Sequence, residues 1–305
     1  AGATVPEPAG YPTMKFIDPR IDFAFKKIFG SEDAKDVLIS FLESLLGLEG
    51  DRRIAALTIL DPFLAPRIKD LKSTVLDVQC KDHRGISYVV EMQVEKVPLF
   101  LKRIQYNSAK AYVQQLGKGE DYSTLRPIIA ITITDYLLFD RFDHCVSLHE
   151  SRETITNQPY LTDILHYFVE LPKFTKDLDS CDNMVDQWLY FIRYAGSLEE
   201  IPPKMCADPI RHAFEKARVA NMTRDELDLY DKAGIAIADA RGRVEQAREE
   251  GKLEERMEML LDLLQDRFGS IPDWVRAKLA EADLNTLKGW SKKVFSADKI
   301  ELVFQ

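Results

Sequence analysis

The chain has 305 residues, 46% of them hydrophobic and 30% charged, with a formal net charge of −9. That is apolar material enough for a large core, in one large domain or two smaller ones. No apolar run approaches the roughly 20 residues of a membrane span, no basic-then-apolar leader stands out, and the acidic balance argues against unselective nucleic-acid binding. The acidity is uneven: residues 1–140 hold 18 basic and 19 acidic side chains, so the excess belongs to the remainder. Neither Cys80, Cys145, Cys181 and Cys206 nor the five histidines show metal-ligand spacing. A cytoplasmic, bacterial-type protein with no membrane association is expected.

Residues 1–15 contain Pro, Gly and Ala without apolar periodicity and are expected to be a disordered lead, with Met14 as a candidate natural start. Asp18-Pro19 signals a helix start, with Asp as cap and Pro in the first turn. This helix runs through Phe29 to Gly30 and places Asp22 in its second turn. Val37, Leu38, Phe41, Leu42, Leu45 and Leu46 predict a helix over 31–47. A strand over 54–60 ends at Asp61-Pro62, and a Pro-containing connection covers 61–71.

Residues 74–80 and 86–94 read as two strands joined at Asp82-His83-Arg84-Gly85. Folding about Arg84 sets Asp77 opposite Glu91, while Glu91 and Gln93 share a face. Two opposed carboxylates either lie on the solvent face of a half-buried sheet or share a cation. The flanking Val75, Leu76, Val78, Val89, Val90 and Met92 leave little alternation, which suggests strands covered on both faces. A carboxylate there needs a partner, and a hard divalent cation takes oxygen ligands.

Pro98 opens a helix over 99–116. Arg103, Asn107, Lys110 and Gln114 form one polar stripe on it, either a solvated face or a phosphate-contacting one. Residues 127–134 are a buried strand, followed by strand-like runs at 143–149 and 165–171. From Asp182 the chain reads as helical: one helix to Gly196, a break at Pro202-Pro203, another helix to about 230, a long charged stretch over 233–268, and two further helices. Trp188, Trp274 and Trp290 suit packing rather than base stacking. Three regions follow: the lead over 1–15, an α/β domain over 16–175, and a helical C-terminal region over 176–305.

Asp77 followed on the next strand by Glu91-Met92-Gln93 resembles the signature of the PD-(D/E)xK nuclease superfamily, with Gln in place of the usual Lys. Asp22-Phe23-Ala24-Phe25-Lys26-Lys27-Ile28-Phe29-Gly30 resembles the opening block of one branch, the bacterial recombination-promoting nuclease and transposase family. Arg103, Tyr106, Ala109, Tyr112, Gln115, Leu116 and Gly119 are similar to its helix pattern, and Arg267-Phe268-Gly269 with Ile271-Pro272 to its tail. The resemblance implies a restriction-endonuclease-like core, a mixed central sheet flanked by helices, and a metal-dependent DNA endonuclease linked to recombination or mobile elements. It implies Asp77, Glu91 and Gln93 as catalytic residues. Asp77, Glu91 and Asp22 would be ligands of Mg²⁺, with Mn²⁺ or another divalent cation as a substitute. Asp22 equally suits a helix N-terminus without any metal. Lys102 or Arg103 would stand in for the missing lysine, and Lys102, Arg103 and Lys110 are the candidate DNA contacts.

Gln93 can orient a water but brings no positive charge. A second possibility therefore stands beside the first: a catalytically weak or inactive DNA-binding or assembly module on a nuclease scaffold. Cutting both strands of DNA asks for two sites, so a homo-oligomer joined through the helical C-terminal region is compatible with either.

Overall fold

The computed structural model describes residues 15–60, 63–64, 74–75 and 77–305. The expected lead over 1–15 and the connection over 61–71 fall, apart from Lys15, Phe63 and Leu64, outside the described residues.

Helix α1 (Asp22–Phe29) begins later than Asp18-Pro19 suggests. Asp18 does not cap it. Its Oδ1 accepts the Arg20 N–H at 2.9 Å and its Oδ2 the Arg20 guanidinium at 2.7 Å, a local turn that competes with helix. Arg20 also reaches Asp135 at 3.1 Å. Asp22 is therefore the first residue of α1, not a second-turn residue. After a short 3-10 turn (Glu32–Ala34), α2 (Lys35–Leu46) buries Val37, Leu38, Phe41, Leu42 and Leu45 and stops at Gly47, whose φ of +60° glycine tolerates.

The strands follow as β1 (Leu57–Leu60), β2 (Phe63–Leu64), β3 (Thr74–Val75), β4 (Val78–Asp82) and β5 (Ser87–Gln93). Then come α3 (Phe100–Val113), β6 (Ile128–Thr134), β7 (Val146–Ser151) and β8 (Leu161–Glu170). Six of them form one sheet in the order β1-β4-β5-β6-β8-β7. The β5–β6 and β6–β8 pairs are parallel and the rest antiparallel, so the sheet is mixed. The expected continuous strand over 74–80 is split. β3 pairs with β2 in a separate ribbon, whereas β4 pairs with β1 and β5, and the change of partner puts Asp77 in a bend between them.

Both faces of β5 are covered, which accounts for its nearly unbroken apolar sequence. Tyr88, Val90 and Met92 join the main core with Ile129, Ile131 and Ile133. That core includes α1, α2, α4 (Met184–Tyr194) and α5 (Asp208–Ala217), with Phe29, Phe41, Trp188, Phe191 and Phe214 in ring contact. Val89 packs with Ala111 of α3 and Ile128, and Phe100 and Ile104 of α3 pack on Phe168.

The end of the α/β part, expected at 175, falls differently in space. Because α4 and α5 bury their aromatic faces in the sheet's own core, the first compact unit extends to Ile237. The second runs from Ala238 to Gln305. Helix α6 (Arg224–Phe268) contributes to both. In the second unit Leu260 and Leu264 pack against α7 (Asp273–Ala280), α8 (Leu284–Val294) and α9 (Ile300–Val303) through Val275, Leu279, Leu287 and Val303. Trp274 and Trp290 both lie edge-on to Phe304. No described helix is long and apolar enough to cross a membrane.

Candidate active site

The hairpin register sets the two acidic positions near one another on the backbone. Val78 opposes Val90 and Gln79 opposes Val89, so the same step carried one residue back sets Asp77 level with Glu91. Asp77 stands just outside the ladder, and its Oδ2 accepts the Met92 backbone N–H at 2.7 Å. Glu91 is on the strand face that α3 covers, 9% exposed. Its Oε1 lies 3.5 Å from Asn107 Nδ2, at the long limit of a hydrogen bond.

Neither carboxylate is comfortable as an anion. Burial pushes Asp77 up to about 7, the negative charge of Asp22 adds to the rise, and the Met92 N–H and Lys26 oppose it. Burial likewise raises Glu91, with the Arg103 charge pulling the other way. Asp22 is exposed and meets Asp77 through Lys26, whose Nζ is 2.8 Å from Asp22 and 3.5 Å from Asp77. Among the described residues, no group of three His, Cys, Asp or Glu side chains could hold a metal ion. Asp22 is thus brought to Asp77 without closing a trio around Glu91.

Gln93 Oε1 accepts Arg103 Nη2 at 2.7 Å, and its Nε2 donates to the Glu95 carbonyl at 2.9 Å. Arg103 also lies over the Phe100 ring, 4.9 Å from the centroid. Lys102 is exposed and lines a groove with Pro98, Leu99 and Leu138. Lys110 is half-buried over the Tyr106 ring. The polar stripe on α3 needs one correction. Asn107 is buried, 3% exposed, and faces Glu91 rather than solvent. A four-residue step turns a helix by about 40°, which carries Asn107 from the rim at Arg103 into the sheet contact.

Tyr136, just after β6, is a residue that sequence reasoning missed. Burial pushes its hydroxyl up to about 12, against the pull of Arg103 and with Glu91 and Glu95 adding to the rise. Its place beyond the carboxyl end of a parallel strand was the available signal.

The donors present suit a hard divalent cation. They are all oxygen, two are carboxylates, Asp77 half-buried and Glu91 buried, that a positive charge would relieve, and Asn107 Oδ1 is buried without a hydrogen-bond partner.

Comparison with curated proteins and with solved structures finds no match. A family model described as PD-(D/E)XK nuclease family transposase matches residues 19–247, which include the α1 block, the hairpin, α3 and the whole six-stranded sheet. The tail block at 267–272 lies beyond the match. With the mixed sheet, flanking helices and helical C-terminal region in a restriction-endonuclease-like arrangement, the chain belongs to the PD-(D/E)XK nuclease family transposases.

Proposed function

We propose that the protein is a Mg²⁺-dependent DNA endonuclease acting in recombination or the movement of genetic elements, in a cytoplasmic setting. Nucleases of this family generally use divalent metal ions. The observation that carries the reading is the half-buried Asp77 and buried Glu91 on neighbouring strands, with the Arg103–Gln93 contact beside them. Asp77 and Glu91 hold the cation, and Asp22 supports Asp77 from the helix side. A divalent cation bound there supplies an acidified water and offsets charge building on the scissile phosphate. The cation would also favour the ionised form of Asp77, whose pKa burial raises.

Gln93 orients the attacking water through its amide. Arg103 brings the positive charge that Gln93 lacks, from a helix rather than from the strand. Lys102 and Lys110 contact DNA phosphates along α3. Cutting both strands calls for a second copy, joined through the helical C-terminal region. A monomer in light scattering, with and without DNA, would rule that pairing out.

The test is nicking of supercoiled plasmid with Mg²⁺ or Mn²⁺, parent against Asp77→Ala. Metal-dependent cutting that the variant loses supports the nuclease and its site together. The glutamine at 93 favours a second reading, a DNA-binding or assembly module with little or no catalysis. No cutting by the parent with either metal, alongside retained DNA binding, selects it.

A further inference from the structure

Two buried side-chain polar atoms among the described residues have no hydrogen-bond partner: Asn107 Oδ1 and the Tyr136 hydroxyl oxygen. They come from different elements, α3 and the segment after β6, and the Tyr136 ring lies edge-on to Phe100 of α3 with 6.3 Å between centroids. Asn107 Nδ2 stands 3.5 Å from Glu91 Oε1, and the charge of Glu91 acts on the Tyr136 hydroxyl. Unpaired buried polar atoms cost stability, and each one in a folded protein asks for an explanation.

The Asn107 amide is a poor partner for Glu91 as it stands. A hydrogen bond to a carboxylate is normally about 2.7–2.9 Å long, and this one is 3.5 Å. Meanwhile the oxygen end of the same amide is buried and idle. The terminal torsion of Asn is soft and roughly two-fold, so its oxygen and nitrogen ends exchange places at little cost. The carboxylates by themselves form no three-member ligand set among the described residues, and side-chain amide carbonyls are ordinary oxygen donors to hard cations.

We infer that Asn107 is a cation-ligating residue of this centre, its Oδ1 joining Asp77 and Glu91 on a bound divalent metal. The inference rests on the metal-dependent reading of the site. It assigns a ligand to the helix that also carries Arg103, so one element supplies both a neutral oxygen to the cation and a positive charge beside it.

The experiment is calorimetric titration of the full chain with Mn²⁺, without DNA, for the parent, Glu91→Gln, Asn107→Leu and Asn107→Asp. Melting of each metal-free protein is followed in parallel. Asn107→Leu should bind Mn²⁺ about tenfold more weakly while melting at the parent's temperature or above, because an apolar residue of similar size replaces an unpaired amide. Asn107→Asp should bind at least as tightly as the parent. Parent-like Mn²⁺ affinity in Asn107→Leu overturns the inference. Should that variant fail to fold, weaker binding by Asn107→Asp than by the parent overturns it instead. A parent that binds no Mn²⁺ sinks the metal reading itself. Binding that Glu91→Gln loses and Asn107→Leu keeps sinks only the role of Asn107.

Discussion

The Asp77 carboxylate accepts the backbone N–H of Met92 at 2.7 Å, which fastens the bend before β4 to the strand that carries Glu91. This side-chain bond continues the β4–β5 pairing one residue beyond its last ladder pair, Val78 with Val90. If Asp77 and Glu91 share a cation, Asp77→Ala and Glu91→Ala should each reduce metal-dependent cleavage to background while circular dichroism stays that of the parent. Full activity in both variants would remove the site assignment.

The proton affinity of Asp77 gives a signed pH dependence. Its folded pKa is raised from 3.8 to about 7, so the folded state binds more protons than the unfolded state between those values. Stability should therefore fall as pH rises through that window in the absence of divalent metal. Asp77→Asn should flatten the fall, and Mg²⁺ should reverse it at neutral pH, because a ligand of the folded state stabilises it. Melting temperatures at pH 5 and pH 8, with and without Mg²⁺, check all three signs. An equal slope in parent and Asp77→Asn would contradict the prediction.

Arg103 and Gln93 offer a charge relocation. Arg103→Ala should lower the cleavage rate by about 10²–10³-fold while Mn²⁺ affinity is kept or improved, since a nearby positive charge is gone. Adding Gln93→Lys to Arg103→Ala should recover part of the loss, by returning the charge to the strand. Gln93→Lys alone should bring no gain, because two cations would then face each other. Single-turnover cleavage of the four proteins decides it. A double variant no better than Arg103→Ala would show that Arg103 does not supply the charge.

The second compact unit has its own core, in which Leu264 is fully buried with Leu260, Val275 and Leu279. Leu264→Ala should cost about 2–5 kcal/mol there. Hydrogen exchange should speed up within 238–305 and leave the sheet and its plasmid nicking unchanged. Faster exchange across β4–β6 would mean that the two units unfold as one.

Much of the fold is legible in the sequence. Two β-rich runs folded about the Asp82–Gly85 turn were enough to pair 78 with 90, and the helical spacing of Val37, Leu38, Phe41 and Leu42 was enough to mark the buried face of α2. These are local patterns, in which each residue's neighbours along the chain predict its neighbours in space. The break at Asp77 was not legible, because 74–80 is β-rich throughout and only the choice between two ladders interrupts it.

By itself the sequence determined the hairpin, the α1 block and the helix after it, since apolar periodicity and turn chemistry act over short distances. Tertiary structure alone decided the rest. It turned Asn107 inward, set Tyr136 against Phe100, brought Lys26 to Asp77, linked Arg103 to Gln93, and drew α4 and α5 into the sheet's core. The physical reason is that such contacts join residues far apart along the chain. Which side chain is buried beside which carboxylate depends on how the helices seat on the sheet, and seating is settled by packing of the whole core, which no local pattern records.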